Sequence, residues 1–329
     1  MESIARTTRR FAGLLVLAAL AALAMPAGAQ PYPSKPIRML VPFAPGGATD
    51  IVARVLAPKL NERFGQQVVV DNRSGAAGNI AVELVAAAQP DGYTLLVGNI
   101  STNSINPILF AKQMRFNAVR DLTGITLLAS IPNVILIGPD LPGTLKEAIE
   151  YVRQRPDKLN YSAPLGSYSH LDMLALTQAA GLKMVHLPSK GAGETVTALL
   201  RREVHMTESN LASNIGAIRA GQVRAVACTA TQRVPELPDL PTLAELGFPG
   251  IGSLNWNGLF APVKTPKAVI DKVFAETVAV MKEPEMQDFL VRRSIPAALS
   301  KSPAEFNAYV VSEMKRWEKI IKDNNVSID

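Results

Sequence analysis

Residues 37–50 read IRMLVPFAPGGATD. An apolar run, 37–43, leads into two glycines, and from Thr49 to Phe64 apolar residues recur at helical spacing. The stretch therefore predicts a strand, a glycine turn and a helix N-terminus in direct succession. Ligands of open α/β sheets bind where strands end, and a helix N-terminus presents unpaired N–H groups, so this turn is a candidate site for an anion, most simply a carboxylate. A plain strand-to-helix turn with Thr49 as N-cap explains the same residues equally well.

Beyond this stretch, short apolar runs continue to alternate with amphipathic segments. Further strands are predicted at 68–71, 93–97, 134–137, 159–161, 184–187 and 223–228, and further helices at 77–88, 145–153, 171–180 and 195–201. Residues from about 110 to 130 show little periodicity and are interpreted as a break between two series. Alternation of this kind predicts parallel sheets covered by helices on both faces, arranged as two α/β units.

The pattern changes towards the C-terminus. Prolines punctuate the stretch after residue 230, which is typical of connecting chain. A strand predicted at 256–261 is followed by three helical stretches, 267–282, 285–293 and 303–322, with no strand between them. Because three consecutive helices are poorly placed to bury their apolar stripes alone, we expect this segment to pack back on the first unit and to make its domain discontinuous.

Composition excludes several classes of protein. The chain has 329 residues, 34 Lys and Arg against 28 Asp and Glu, a net charge of +6, three histidines and one cysteine. The lone Cys228 cannot form an internal disulfide and is best interpreted as a small buried apolar residue. With one cysteine and three scattered histidines, the sequence predicts no metal site, and no cofactor is predicted either. A mild charge excess with 5% aromatic residues is not typical of a nucleic-acid-binding protein. At about 150 residues per domain, the length predicts two domains.

The first 29 residues carry the features of a secretory signal peptide. Arg9 and Arg10 end a basic n-region, an apolar run follows, and Ala27-Gly28-Ala29 is a small-residue cleavage site before Gln30. The apolar run, of about 15 residues, is shorter than the roughly 20 that a membrane-spanning helix needs. The paired arginines leave twin-arginine export open beside the general secretory route. We expect an exported protein that begins near Gln30 and carries 31 basic and 27 acidic residues, a net charge of +4.

Three further loops place hydroxyl groups and glycines where predicted strands end. They are 98–102, with Asn99 and Thr102; 163–169, with Gly166, Ser167, Tyr168 and Ser169; and 188–193, with Lys190. Each cluster by itself is more typical of helix capping than of a ligand site. If the clusters face one another across a cleft, they form a polar pocket suited to an anion. Lys190 would add a cation there, unless it is an ordinary surface lysine.

Enzyme signatures are scarce. The chain contains neither a Gly-x-Ser-x-Gly elbow nor a His-Glu-x-x-His motif. Ser167 and Ser169 next to His170 leave a secreted serine hydrolase open as an alternative, although neighbours that open one helix more commonly cap it. His205 and Glu208, if they lie on a strand, face opposite sides and make a poor metal pair.

Several short motifs, taken together, resemble one family of proteins. They are YPSKPI at 32–37, VPFAPGGATD at 41–50, DNR at 71–73, GAAGN at 75–79, PDGYTL at 90–95, INP at 105–107 and LPDLPT at 237–242. In this order behind a signal peptide, they are similar to the solute-binding receptors of tripartite tricarboxylate transporters, the Bug family. The resemblance covers essentially the whole chain after the signal peptide.

The resemblance implies a fold, a location and a function. It implies a periplasmic binding protein of type II architecture, in which two Rossmann-like α/β domains enclose a ligand cleft. Domain 1 is implied at 30–130 plus 255–329, and domain 2 at 131–254. The implied protein is a monomeric receptor, not an enzyme, that closes on a small organic acid and delivers it to the permease subunits of a membrane transporter. The acid would be a di- or tricarboxylate or an aromatic carboxylate, and delivery to a signalling partner stays open as an alternative.

The resemblance also implies which residues hold the ligand. Loops 43–49 and 166–169 are expected to grip a carboxylate, with Phe43 as an apolar wall, backbone N–H groups from Gly46 to Ala48, and hydroxyl groups from Thr102 and the serines. The full set expected to bind the ligand is Phe43, Ala44, Gly46, Gly47, Ala48, Thr49, Asn99, Thr102, Gly166, Ser167, Tyr168, Ser169, Lys190 and Ser209.

The sequence departs from the family pattern mainly in the second domain. A glycine usual in the family is missing from 163–167, Ser189 stands where a tyrosine is usual, Arg201-Arg202 replaces a usual glycine pair, and Ser209 stands where an aspartate is common. The loss of an acidic contact at Ser209 would disfavour the ammonium group of an amino acid. We therefore expect a purely anionic or aromatic acid as the ligand.

Overall fold

A computed structural model of the protein describes residues 32–323 and residue 326. The segment up to Ser34 and the segment Lys35–Asp329 form separate units, and the description below concerns the second. The predicted signal peptide, residues 1–29, lies outside the described residues. No helix among the described residues combines the length and the apolar character needed to cross a membrane.

The described part of the second unit contains nine strands and ten α-helices. The strands are β1 Ile37–Val41, β2 Val68–Asn72, β3 Thr94–Asn99, β4 Leu122–Ile137, β5 Asn160–Ala163, β6 Val185–Pro188, β7 Met206–Asn210, β8 Arg224–Cys228 and β9 Leu254–Pro262. The helices are α1 Ala48–Phe64, α2 Asn79–Ala86, α3 Asn106–Leu109, α4 Leu145–Arg153, α5 Tyr168–Ala179, α6 Ala192–Leu200, α7 Leu211–Arg219, α8 Lys267–Met281, α9 Pro284–Arg292 and α10 Pro303–Asp323. A 3-10 turn, Ala76–Gly78, precedes α2, and a π-helical turn, Ser101–Ile105, precedes α3.

The strands form one mixed sheet in the order β2-β1-β3-β9-β4-β7-β5-β6, with β8 pairing β4 off this path. At one end β1 pairs in parallel with β2 and β3, and at the other β5 pairs in parallel with β6 and β7. The central strands differ, because β9 runs antiparallel to β3 and β4, and β4 runs antiparallel to β7 and β8. The prediction of parallel sheets is therefore right for the outer strands and wrong for the centre. The directions of the central strands depend on long-range pairings that local alternation does not report.

A single long strand, β4, connects the two parts of the sheet. The predicted break at 110–130 is wrong from Leu122 onward, because β4 is one strand of 16 residues. It pairs with β9 as far as Pro132 and with β7 from Asn133. Two register shifts between Gly124 and Ala129 interrupt the period-two pattern that predicts a strand. The change of partner falls near residue 130, where the domain boundary is expected, and the division into two domains stays a prediction.

The strand β7 and the helix α7 that follows it are not predicted from the sequence. All five residues of β7 are buried, although Thr207, Glu208, Ser209 and Asn210 are polar. A polar run of this kind shows neither the alternation nor the apolar continuity that indicates a strand. The strand exists because β4 and β5 pair with it from either side.

The C-terminal helices pack against the first part of the sheet. Trp256 of β9 makes edge contacts with Phe306 and Tyr309 of α10, at ring-centroid distances of 6.0 and 5.8 Å, and its indole N–H donates to Glu313 at 3.2 Å. A Cβ at Gly258 would collide with the Phe306 ring, so this close approach requires glycine. The C-terminal segment also contacts the start of the sheet and the first helix. β9 pairs with β3, and Lys59 and Arg63 of α1 form ion pairs with Glu285 and Glu283. The prediction that the C-terminal segment packs on the first unit is therefore confirmed, and the discontinuous domain stays a prediction.

Candidate ligand-binding site

One cavity opens where several strands end and several helices begin. Its walls come from the segment between β1 and α1, the end of β3, the starts of α5 and α6, the end of β7 and one residue of β9. The space not filled by protein atoms is about 590 Å³, open mouth included. Ligand sites of open α/β sheets lie in places of this kind.

Ten of the fourteen residues predicted to bind a ligand line this cavity. They are Phe43, Ala44, Gly47, Ala48, Thr49, Asn99, Ser167, Tyr168, Ser169 and Ser209. The fold therefore brings together loops that lie far apart in the sequence. Their role as ligand contacts stays a prediction.

The other four predicted residues are Gly46, Thr102, Gly166 and Lys190. None of them is among the described residues that line the cavity. Thr102 is fully buried, and its hydroxyl accepts the N–H of Asn99 at 3.0 Å, so it supports a cavity residue rather than facing the cavity. Lys190 is exposed to solvent, as expected for an ordinary surface lysine.

The glycines at 46 and 166 shape the loops rather than form the cavity wall. Gly46 has φ 89°, and its N–H donates to the Asp50 carboxylate at 3.0 Å. Gly166 has φ 71°, and its N–H donates to Nδ1 of His170 at 3.1 Å. In both loops the left-handed conformation favours glycine.

The cavity also contains residues outside the predicted set. They are Ser101, Pro164, Gly191, Gly193, Thr195, Glu208, Asn210 and Asn255. Six of them lie in or directly beside the loops that the sequence singles out. Glu208 and Asn255 are harder to find, because they lie within strands, and their only signal is a polar side chain in a segment that the sheet buries.

Four helix N-termini contribute to the cavity wall, and they are capped in two different ways. The N-cap residues of α1 and α6, Gly47 and Gly191, provide no side-chain cap. The N-cap of α5, Ser167, accepts the N–H of His170, and that of α7, Asn210, accepts the N–H of Ser213 at 2.9 Å. Since the first N–H groups of a helix have no partner within the helix, α1 and α6 present donors that a bound anion can use.

The charge of the cavity wall comes from backbone dipoles rather than from cationic side chains. None of the described residues that line it is Lys, Arg or His. The carboxylate in the first turn of α1, Asp50, accepts from Arg54 at 3.0 Å and from Asn72 at 2.9 Å. Its negative charge is therefore compensated locally, and the positive end of the α1 dipole, about half an elementary charge, remains effective at the cavity.

An amide and hydroxyl network fixes the floor of the cavity. The Thr49 hydroxyl donates to Oδ1 of Asn257 at 2.6 Å, and the Asn257 amide donates to the Asn255 carbonyl at 3.2 Å. The Asn99 amide lies 3.5 Å from Oδ1 of Asn255. These side chains are buried, so their orientation is set by partners within the protein before any ligand arrives.

Two carboxyl groups lie behind the β7 side of the cavity. Glu208 is 2% exposed, its two carboxyl oxygens are shielded from solvent, and side-chain hydrogen bonds with Asp172 and Asn133 act on its carboxyl group. Burial, and then the neighbouring Asp172, raise the pKa of Glu208 well above its usual value. Asp172 accepts the Ser253 hydroxyl at 2.6 Å, and burial raises its pKa to about 6. Burial also raises the pKa of the Tyr168 phenol.

Ser167 and His170 are arranged for capping rather than for catalysis. The Ser167 hydroxyl accepts the His170 N–H at 3.3 Å and lies 2.9 Å from the Ser169 hydroxyl. Nδ1 of His170 accepts the Gly166 N–H, and its ring stacks on His186 at 4.0 Å between centroids. Burial, with a smaller effect of His186, lowers the pKa of His170 to about 4. The neutral imidazole is therefore engaged with the loop and the neighbouring ring, and the geometry gives no support to a serine hydrolase.

The remaining reactive side chains are also engaged elsewhere. Nδ1 of His205 lies 3.0 Å from Oδ1 of Asn160, and its Nε2 lies 3.5 Å from the Asp140 carboxylate. Cys228 is fully buried, which confirms its interpretation as a small apolar residue. Within residues 32–323 and residue 326, no three His, Cys, Asp or Glu side chains form a group that could hold a metal ion.

Comparison with known proteins identifies the family. The model of the tripartite tricarboxylate transporter family receptor, TctC, matches residues 52–326. The chain belongs to this receptor family. A protein from Pseudomonas sp. (strain P51) is 36% identical over 293 residues, which are 88% of this chain and 86% of that protein. Protein BugT of Bordetella pertussis is 31% identical to this TctC-family chain over 326 residues, 98% of this chain and 99% of BugT.

Solved structures share the fold of this TctC-family receptor. Rpa4515 of R. palustris with adipate has a TM-score of 0.86 and 32% identity over 90% of this chain and 99% of that chain. MatC of Rhodopseudomonas palustris with bound malate has a TM-score of 0.84 and 31% identity over 88% of this chain and 100% of MatC. The periplasmic binding protein BugD has a TM-score of 0.85 and 34% identity over 90% of this chain and 99% of BugD. These likenesses confirm the predicted α/β fold of periplasmic binding proteins.

Proposed function

We propose that the protein is a periplasmic receptor that binds a small organic carboxylate and delivers it to the membrane subunits of a tripartite tricarboxylate-type transporter. The observation that carries the proposal is the cavity. Two helix N-termini without side-chain caps, at Gly47 and Gly191, meet there with hydroxyl and amide groups, and no cationic side chain is among the described residues of the wall. Such a site suits a carboxylate, because backbone N–H groups and helix dipoles favour an anion.

The relatives support a dicarboxylate as the ligand class. Rpa4515 is described with adipate and MatC with bound malate, and both share more than 30% identity with this chain. We extend the proposal to a di- or tricarboxylate or an aromatic carboxylate. In this proposal the protein is a monomer that binds its ligand without transforming it.

Function would follow from closure of two domains on the ligand. The proposed domains are 30–130 plus 255–329, and 131–254. The cavity takes residues from both ranges, Gly47 and Thr49 from the first and Ser167 and Ser209 from the second. A ligand that contacts both domains favours the closed state by its higher affinity for that state, and the closed state is the form that a permease would recognise.

A panel of ligands tests the proposal. Purified protein is mixed with mono-, di- and tricarboxylic acids, aromatic acids and amino acids, and thermal unfolding is followed by fluorescence. A ligand present at about 100 times its Kd stabilises the folded state by about 2.7 kcal/mol, so at least one carboxylate should raise the Tm by several degrees. Calorimetry then measures the Kd. Turnover of a chromogenic ester, or the absence of a shift with every acid, would contradict the proposal.

A further inference from the structure

Asn255 is a residue of the cavity wall that the sequence does not single out. It lies near the start of β9 and is 2% exposed. The next residue, Trp256, packs against Phe306 of α10 on the other side of the sheet. Because successive side chains of a strand point to opposite faces, Asn255 points away from α10 and towards the cavity that it lines.

Hydrogen bonds determine which end of the Asn255 amide is engaged with the protein. The backbone N–H of Thr102 donates to Oδ1 of Asn99 at 3.1 Å, so the amide nitrogen of Asn99 points the other way. That nitrogen donates to Oδ1 of Asn255 at 3.5 Å. A backbone donor cannot exchange roles as a side-chain amide can, so it fixes Asn99, and Asn99 in turn fixes Asn255.

The amide nitrogen of Asn255 carries two N–H donors without an acceptor. No described residue accepts from it. The amide nitrogen of Asn103 is also unpartnered but is sealed inside the protein, whereas that of Asn255 is not among the sealed atoms and belongs to the cavity wall. Buried polar groups are nearly always hydrogen-bonded, so two unused donors at a cavity surface indicate an acceptor on a ligand.

The position of Asn255 along β9 places it at a distance from the N-terminus of α1. Thr49, in the first turn of α1, donates to the side chain of Asn257 at 2.6 Å. Asn255 lies two residues before Asn257 on the same face of the strand, which is about 7 Å at the rise of a strand. A ligand with one anionic group at the start of α1 would therefore meet Asn255 with its other end.

We propose that Asn255 is a specificity-determining residue that donates its amide N–H groups to the second carboxylate of a dicarboxylate ligand. The inference rests on the proposed function, in which the first carboxylate binds at the uncapped helix N-termini. A hydrogen bond from an amide to a carboxylate is charge-assisted and is stronger than a neutral one. A monocarboxylate of the same length would leave the donors of Asn255 unpaired, and a site of this kind rejects a ligand that lacks the acceptor.

A ligand ammonium group is disfavoured at the same position. An ammonium group carries donors only, and the Asn255 oxygen that could accept from it is already engaged by Asn99. Burial raises the pKa of Glu208 in the same wall well above its usual value, and its carboxyl group is engaged with Asp172 and Asn133. Glu208 is therefore the neutral acid and supplies no full negative charge for a cation.

The experiment compares wild type, Asn255→Ala, Asn255→Leu and the control Asn307→Ala. Leucine is close to asparagine in shape but has no hydrogen-bonding group, and alanine removes the amide altogether, so either variant that folds provides the test. Asn307 of α10 donates to the carbonyls of Gly124 and Pro303 at 3.0 and 2.7 Å and is not among the described residues of the cavity wall. Calorimetry measures the Kd of two matched pairs, adipate with hexanoate and succinate with butyrate. Thermal melts confirm that each variant is folded.

The decisive quantity is the preference for a dicarboxylate over its matched monocarboxylate. Wild type should bind at least one dicarboxylate at least about tenfold more tightly than its partner, because the second carboxylate gains a charge-assisted hydrogen bond. In both Asn255 variants this preference should fall to within about threefold of one, through weaker binding of the dicarboxylate, while the Kd of the monocarboxylate changes little. Asn307→Ala should lower the Tm and keep the wild-type preference.

Other results overturn the inference, and they separate it from the proposed function. If both members of a pair lose affinity by the same factor in the Asn255 variants, the residue only supports the cavity and the inference is wrong. If the preference is unchanged in the variants, or if wild type binds monocarboxylates as tightly as dicarboxylates, the inference is wrong while the carboxylate receptor stands. If no carboxylate binds the wild type, both fail.

Discussion

The four helix N-termini at the cavity fall into two pairs. Those of α1 and α6 begin at glycines and have no side-chain cap, whereas those of α5 and α7 begin at Ser167 and Asn210, whose side chains accept a backbone N–H. A cap uses a donor that a ligand could otherwise bind. Under the proposed function, the uncapped ends serve the ligand and the capped ends stabilise the fold. Substitutions at the first pair should change affinity, and substitutions at the second should change stability.

The largest effect is expected at Gly47. Its φ of −77° is open to any residue, and a Cβ there would meet no atom closer than 3.8 Å, so Gly47→Asp fits the fold. The new carboxylate would cap α1 and occupy the position of the ligand carboxylate. We expect affinity to fall by at least about a hundredfold, because like charges brought together cost several kcal/mol. The Tm should stay equal or rise slightly, since Asp is a favourable N-cap.

The control is Gly47→Ala, which adds the Cβ without the charge and should keep most of the affinity. Calorimetry with the best ligand of the panel and a thermal melt of each variant provide the measurements. An unchanged Kd in Gly47→Asp would remove α1 from the proposed site.

The second largest effect is expected on stability at low pH, from protonation of His170 near the capped end of α5. Because burial lowers the pKa of His170 from 6.5 to about 4, the unfolded chain binds a proton there more readily than the folded chain. Stability from this group is complete above about pH 6.5 and is lost as the pH falls towards 4, by up to about 3 kcal/mol.

Denaturant unfolding of wild type and His170→Gln between pH 7 and 4 measures this loss. Glutamine retains an acceptor for the Gly166 N–H and does not titrate, so the variant should lose less stability over this range. Asp172 and Glu208 titrate in both proteins and cancel in the difference. Parallel profiles would show that the pKa of His170 is the same in the folded and the unfolded chain, and would contradict the expected shift.

A smaller loss is expected at the cap of α7. Asn210→Ala removes the bond to the Ser213 N–H and a side-chain bond that acts on Tyr168, and should destabilise the protein by about 1–2 kcal/mol. Chemical unfolding measures the change. If affinity for the ligand falls by more than about tenfold while stability is unchanged, the division between capped and uncapped ends does not hold at α7.

The smallest loss is expected at the cap of α5. Ser167→Ala removes the acceptor of the His170 N–H at 3.3 Å, a long bond, and should cost about 1 kcal/mol. Wild type and variant should both leave a chromogenic ester intact. Hydrolysis by the wild type that is lost in the variant would restore the serine hydrolase as an alternative.

The sequence predicts the outer strands and the glycine turn because their signals are local. The run at 37–50 contains a strand, a turn and a helix start in one stretch, and the structure places β1 and α1 there. β4 and β7 are different, because pairing with distant strands imposes the extended conformation on residues without a regular pattern. Glu208 escapes prediction for the same reason. In the sequence, Glu208 stands out only as a poor metal partner for His205, and its burial becomes visible only when β4 and β5 enclose β7.

The crossing between the two parts of the sheet has a mechanical consequence. At the point where β4 changes partner, Pro132 has no N–H to donate to the ladder. Beside the Thr229 N–H, which donates to the Asn133 carbonyl at 3.0 Å, side chains connect the strands here. The Asn133 amide donates to the Ser253 carbonyl at 2.7 Å, and the Thr229 hydroxyl donates to the same carbonyl at 3.1 Å. Such bonds tolerate a change of angle better than a ladder does, so under the proposed domain closure the crossing would act as a pivot that allows rotation without separating the strands.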